Sequence, residues 1–267
     1  MLNTLLASNG PRSLYFGFVL DAGRIPFDRL RAMQVFSLFA TAPASFSPRV
    51  WLAIALGGAA ALMATFFLLA EEVVLDGRGW LDRATSVEVR EYATSDRTEA
   101  VRAITELGSS WFAAIVCGGI LLWLLWQRRF STAIAIGGIF FIAKLLETGL
   151  KMTFERARPT VVPHLQDAGG YSFPSGHTMT AVITYGLLAA VLVGQLSGRA
   201  RYVPPVIAGL LIVLVGFSRV YLGVHYLTDV LAGTLVAGAC LILAIAALTL
   251  LDRPNPSNRS AAEVDIP

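Results

Sequence analysis

Long runs without charge constrain this chain more than any other feature. Residues 50–70, 107–126, 178–198 and 230–251 hold no Asp, Glu, Lys or Arg. About 20 apolar residues are enough for a helix to cross the hydrocarbon core of a bilayer. A bilayer offers no water to backbone groups, so spanning segments are helices or closed barrels, and these runs are too long for barrel strands. Two further runs complete the set. Residues 202–218 extend through Arg219 to Gly223 if that arginine faces a polar site. Residues 131–150 are interrupted by Lys144 and Glu147, and charges at that depth are costly unless paired or functional. The expected fold is all-α, an integral membrane bundle of six transmembrane helices. Only 15% of the 267 residues are charged, against about 25% in a soluble domain. Composition therefore excludes a soluble globule, a disordered chain and a disulfide scaffold. A net charge of +3 is too small to argue for a nucleic-acid partner.

Six spans put both termini on one side. Arg12, Arg24, Arg29, Arg31 and Arg49 precede the first span, Arg128-Arg129 and Arg199/Arg201 join later pairs, and Arg253 and Arg259 follow the last. The positive-inside rule makes that face cytoplasmic. The opposite face carries the loop 71–107, with nine acids against five arginines. Three parts result. Residues 1–48 form an N-terminal cytoplasmic segment able to lie on the membrane surface over 27–42. Residues 49–251 form the six-helix membrane domain. Residues 252–267, polar and rich in Pro and Ser, are expected to be a disordered tail. Pro204-Pro205 suits the first turn of the fifth helix, where a missing N–H costs little.

Three clusters fall on the outer face, at helix ends that the topology brings together. They are Lys151 with Arg158-Pro159, then Pro174-Ser175-Gly176-His177, then Ser218-Arg219 with His225 and Asp229. Lys151, Arg158 and Arg219 are cations beside apolar helices, and a phosphate would satisfy them. Ser175 and Gly176 open a helix whose free N–H groups and positive end favour an anion. His225 and Asp229, four residues apart, share a helical face. A carboxylate there can hold the imidazole Nδ1–H and leave Nε2 free to attack. His225 is read as the nucleophile that attacks phosphorus to give a phosphohistidine, with Asp229 orienting it. His177 is the general acid for the leaving oxygen and then the base that activates water. Lys151, Arg158 and Arg219 stabilise the transferring phosphoryl.

These motifs resemble the signature of the type 2 phosphatidic acid phosphatase family, which shares its site with vanadium haloperoxidases and glucose-6-phosphatase. Every position of the pattern is filled over residues 151–229, and the six-helix layout extends the resemblance to roughly 50–251. The resemblance implies metal-independent dephosphorylation of a membrane lipid through a histidine intermediate. It implies phosphate binding by Lys151, Arg158, Ser175, Gly176 and Arg219, an acid at His177, a nucleophile at His225 and no cofactor. It also implies a bacterial inner-membrane location, an outward-facing active site, and undecaprenyl pyrophosphate, phosphatidylglycerol phosphate or phosphatidic acid as substrate, with the first favoured. Two alternatives remain: lipid phosphotransfer by the same histidine, and a non-catalytic phospholipid-binding or transport protein. The soluble peroxidase branch fits this chain least.

Outside the clusters, simpler readings lead. Lys144 and Glu147 are expected to form an internal ion pair, and Glu147 could also orient Lys151 from behind. Glu155 and Arg156 are expected to face water or headgroups, and His164 to be a solvated loop residue. The loop 71–107 is expected to form two short amphipathic helices on the outer face, or else a lid. Trp80, Trp111 and Trp126 read as interface anchors, and Cys117 and Cys240 as small buried hydrophobes. No Cys/His cluster has metal-ligand spacing.

Overall fold

The computed structural model describes residues 47–75 and 79–251. Expectations for residues 1–46 and 252–267 lie outside the described residues. The described chain is helical, with no strand among these residues. In chain order the helices are α1 (Pro48–Ala70), α2 (Trp80–Glu91), α3 (Ser95–Glu106), α4 (Ser110–Trp126), α5 (Phe130–Phe154), α6 (Gly176–Val193), α7 (Val203–Tyr221) and α8 (Leu227–Leu251). A π-helical turn, Glu71–Leu75, continues α1, and a 3₁₀ turn, Gly198–Tyr202, precedes α7.

Local chemistry sets the helix starts. Ser47 caps α1 ahead of Pro48, accepting from the Val50 amide. Thr94 and Ser109 cap α3 and α4 in the same way. Pro204 and Pro205 fall in the first turn of α7, as expected. The other end of α5 is less regular. Glu155 takes a left-handed backbone (φ 45°), which stops the helix and turns the chain back over its own end.

Helices α1, α5, α6, α7 and α8 are each long and apolar enough to cross a membrane. The sixth candidate is α4, which follows α3 through a bend of about 40° at residues 107–109. The expected straight span over 107–126 is therefore corrected to a helix from Ser110 preceded by a bend. Gly108 lets the bend pack closely, because a Cβ there would collide with Val215 and crowd the His177 backbone carbonyl at 3.1 Å. Tyr185 fixes the turn from below by donating to the Leu107 carbonyl at 2.8 Å.

Helix α6 is central: 61% of its apolar window is buried, against 17% for α1 and 22% for α5. It packs on α7 and α8, while α1 lies along α8. The outer helices turn Phe67, Leu122, Ile134, Phe141 and Val213 outward, an apolar belt too extensive for a wetted surface. The protein is a multi-pass membrane protein. Phe66 of α1, Phe154 of α5 and Phe173 cluster with ring centroids 5.2–5.8 Å apart, Phe66 stacked on Phe173 and Phe154 edge-on to both. That cluster ties the ends of two spans to the loop that leads into α6.

Candidate active site

The three sequence clusters converge where α5 and α7 end and α6 and α8 begin. A cavity of about 270 Å³ opens there. Lys151, Arg158, Gly176, His177 and Arg219 all line it. Ser175, His225 and Asp229 form the layer beneath, each no more than 2% exposed.

Each cation is held differently. Lys151 donates to Glu147 Oε1 at 2.9 Å, and Lys144 to Glu147 Oε2 at 2.9 Å. The expected Lys144–Glu147 pair is thus present, and Glu147 also holds Lys151. Its carboxylate lies so close to the first turn of α6 that a Cβ on residue 176 would overlap it. Arg158 is gripped by loop carbonyls, donating to Gly169 and Val224 at 2.7 Å and to Gly170 at 3.1 Å. Its Nη1 also stands 3.4 Å from His225 Nε2. Arg219, 3% exposed, donates through Nη1 to Thr105 at 2.8 Å and to Gln166 at 3.3 Å. Its Nε is buried without a partner. The guanidinium as a whole lines the cavity, where its fork can meet an anion.

The histidine pair departs from the expected helical geometry. Helix α8 begins at Leu227, so His225 precedes it. The spacing still brings His225 Nδ1 to 3.4 Å from Asp229 Oδ2, short of full hydrogen-bond alignment. Asp229 Oδ2 instead accepts from the Tyr226 amide at 2.9 Å. Burial pushes the His225 imidazole down to about 4, with Asp229 opposing and Arg219 and Arg158 adding. At neutral pH the ring is uncharged and Nε2 carries a lone pair if Nδ1 keeps the proton. Ser175 occupies the cap of α6 but makes no cap bond. Its hydroxyl accepts from Thr178 at 3.1 Å, and its amide donates to the Asp229 carbonyl at 3.0 Å. Ser175 therefore stitches α6 to α8 and does not line the cavity.

Arg156 overturns its expected exposure. Its side chain is 10% exposed and bridges two acids, Asp82 at 2.7 Å and Asp229 at 2.5 Å. The guanidinium lies 4.4 Å from the Tyr226 ring centroid. Burial works against its charge, but Asp229 and Asp82 more than offset it, so Arg156 is held above its ordinary value. Asp82, 1% exposed, also accepts from the Thr228 amide at 3.0 Å and from its hydroxyl at 2.5 Å. Glu155, in contrast, is exposed and accepts from Tyr171 at 2.9 Å. His164 is exposed too, and its ring donates to the Pro159 carbonyl at 2.7 Å.

Known proteins resemble this chain in the same region. A family model described as the PAP2 superfamily matches residues 131–252. Phosphatidylglycerophosphatase B of Bacillus subtilis is 39% identical over 137 residues, covering 51% of this chain and 67% of that protein. The chain belongs to the PAP2 superfamily. A second Bacillus subtilis relative, undecaprenyl-diphosphatase BcrC, is 34% identical over 142 residues, covering 50% of this chain and 66% of that protein. The crystal structure of a transmembrane PAP2-type phosphatidylglycerolphosphate phosphatase from Bacillus subtilis superposes with a TM-score of 0.64. It is 31% identical, and the match covers 71% of this chain and 94% of that one.

The PAP2 match starts at residue 131, so α2 and α3 lie outside it. Those two helices were expected, but their role was not. They do not stand clear of the cavity as a lid. Asp82 of α2 and Thr105 of α3 reach into the layer behind the cations, and Arg102 holds the loop from above by donating to the Leu165 carbonyl. Asp82 could have been suspected from position alone. It shares one face of α2 with Ser86 and Val89, the inward face, while Val87 points out at 47% exposure. Gln166 offered no signal in a loop of irregular spacing.

Proposed function

We propose that this protein is a metal-independent lipid-phosphate phosphatase that works through a phosphohistidine on His225. The observation that carries the reading is the set Lys151, Arg158, His177 and Arg219 lining one small cavity, with Arg158 Nη1 3.4 Å from His225 Nε2. Four cations, Lys144, Lys151, Arg158 and Arg219, line one small cavity against two acids, Glu147 and Asp167, and that surplus suits the charge that spreads over a transferring phosphoryl group. The names of the relatives, phosphatidylglycerophosphatase and undecaprenyl-diphosphatase, support a phosphorylated membrane lipid as substrate.

The chemistry then runs in two displacements. The lone pair of His225 Nε2 forms an N–P bond while the bond from phosphorus to the lipid-side oxygen breaks. His177 gives its proton to that oxygen. Water next attacks phosphorus, His177 takes a proton from it, and the N–P bond breaks to free inorganic phosphate. Arg158 lines the cavity with Nη1 3.4 Å from His225 Nε2, so its fork can move onto phosphate oxygens as the nucleophile engages. Gly176 offers its amide at the start of α6. Arg156, fixed by Asp82, holds Asp229, and Asp229 orients His225.

The arginines of the α4–α5 and α6–α7 turns lie at the end of the bundle remote from the cavity. Their bias supports cytoplasmic termini and an outward-facing cavity. Among lipids, the relatives' names support phosphatidylglycerol phosphate and undecaprenyl pyrophosphate as the candidates.

The test is phosphate release by the detergent-purified full chain from these two lipids and phosphatidic acid, in EDTA, beside His225→Ala. Release that the substitution lowers by at least about 10⁴-fold is expected. Activity equal to wild type in His225→Ala would overturn the nucleophile. Loss in EDTA restored by a divalent ion would overturn metal independence. A labelled acceptor in place of free phosphate would assign the chain to phosphotransfer.

A further inference from the structure

Only two of the 21 basic residues are lysines, and both bond the same carboxylate. Lys151 belongs to the phosphate cluster. Lys144 does not, and nothing so far gives it work. Glu147 needs one cation for neutrality and has two, so one positive charge is in surplus on α5, where surplus charge is costly. Lys144 is also the freer of the pair, with its side chain 57% exposed against 23% for Lys151.

Its position is informative. Beside the polar cavity lies an apolar cleft of about 320 Å³, walled by Cys117 of α4, Phe140 and Phe141 of α5, and Met179 and Ile183 of α6. The two spaces share a wall made of Ser110, Lys144, Glu147 and Thr180. Lys144 lies seven residues before Lys151, two helical turns and about 10 Å deeper along the axis. The ammonium groups themselves are closer, because one carboxylate holds both at 2.9 Å. An amphiphile with its tail in the cleft passes its headgroup along Lys144 before the terminal phosphate reaches Lys151, Arg158 and Arg219.

We propose that Lys144 is a second anion subsite, which receives the anionic group lying between the scissile phosphate and the lipid tail. The inference rests on the reading of the cavity as a phosphatase site, and it deepens that reading. The substrate class that fits is a lipid carrying two phosphates, and best a diphosphate esterified directly to an apolar alcohol. There the inner phosphate sits one bridging oxygen from the outer one, within the spacing of the two ammonium groups. A lipid monophosphate leaves Lys144 with Glu147 alone. Ser110 and Thr180 offer hydroxyls on the same wall for the bridging region.

The experiment compares farnesyl diphosphate with farnesyl monophosphate, which share one tail, as substrates of the detergent-purified full chain. In Lys144→Gln the ratio of kcat/KM for diphosphate over monophosphate is expected to fall about 10- to 100-fold, carried mainly by KM. Lys144→Arg is expected to keep most of the wild-type ratio, and Lys144→Met to repeat the loss, with a melting profile confirming that each variant is folded. An unchanged ratio, whether both activities hold or fall together, overturns the subsite. In the second case Lys144 acts only through Glu147 on Lys151. Failure of the underlying reading is seen separately: wild type and His225→Ala would then release phosphate from neither substrate.

Discussion

The wall of the cavity built by α5, α6 and α7 differs from the roof built by α2 and α3 in what its side chains face. Lys151, Arg158, His177 and Arg219 face the space itself. Asp82 and Thr105 face other side chains, and each is at most 1% exposed. The wall carries a recognisable signature, and the roof carries none. The roof nonetheless supplies the anion that fixes Arg156 and an acceptor that aims Arg219. A site of this kind divides into groups that touch substrate and groups that only set angles. The second set can come from segments free to differ in sequence, provided one carboxylate or hydroxyl arrives at the right depth.

Removing Arg156 should break that comparison most severely. Arg156→Ala leaves two buried acids, Asp82 and Asp229, without their common partner. Stability is expected to fall by about 3–5 kcal/mol, read as a lowered melting temperature in detergent. The kcat is expected to fall by about 10²- to 10³-fold with phosphate affinity little changed. Arg156→Lys should restore part of the stability and little of the rate, since one ammonium cannot span both acids with the same fork. A variant with wild-type kcat would reduce Arg156 to a scaffold group.

Asp82→Asn is gentler, because the amide still accepts from Thr228. A fall in kcat of about tenfold with KM within a factor of three is expected. A change confined to KM would instead make α2 a substrate-contacting element and erase the distinction between roof and wall.

A pH profile sharpens the comparison without mutation. His225 lies below its ordinary value of 6.5, near 4. The ring is therefore neutral at pH 7, and its burial contributes stability above pH 6.5 that is lost as pH falls through about 4. The acid limb of kcat/KM set by protonation of His225 should accordingly fall below about pH 5 and not near 6.5. An acid limb centred near 6.5 would mean that His225 is solvated in the working enzyme. Thr105→Val is the mildest test. Arg219 loses one acceptor and keeps Gln166, so KM should change only about two- to fivefold.

Much of this arrangement is legible in the sequence. Uncharged runs gave the spans, and Ser and Pro marked several of their starts. Lys151, Arg158, His177 and Arg219 stood out because cations and imidazoles at the ends of apolar helices demand a reason. Arg156 was misread because charge beside a helix end has a ready partner in water. Its actual partners lie 74 residues back and 73 residues on. Periodicity says which face of a short helix is buried, not which atom that face meets, so Asp82 and Thr105 were visible as inward residues at best. The bend at Gly108 was hidden for a related reason. A glycine in an apolar run looks like any other small residue until the neighbouring helix is known to press against it.

The carboxylate of Glu147, pressed against Gly176 between two lysines, has a consequence for how the site fills. An empty cradle that carries its own counterion is never a bare cluster of positive charge beside lipid. Arrival of a phosphate is then an ion exchange, one anion taking over contacts that another relinquishes. The tethered carboxylate lowers the net positive charge that an arriving phosphate meets. The affinity for inorganic phosphate should accordingly respond less to added salt than four unpaired cations would make it.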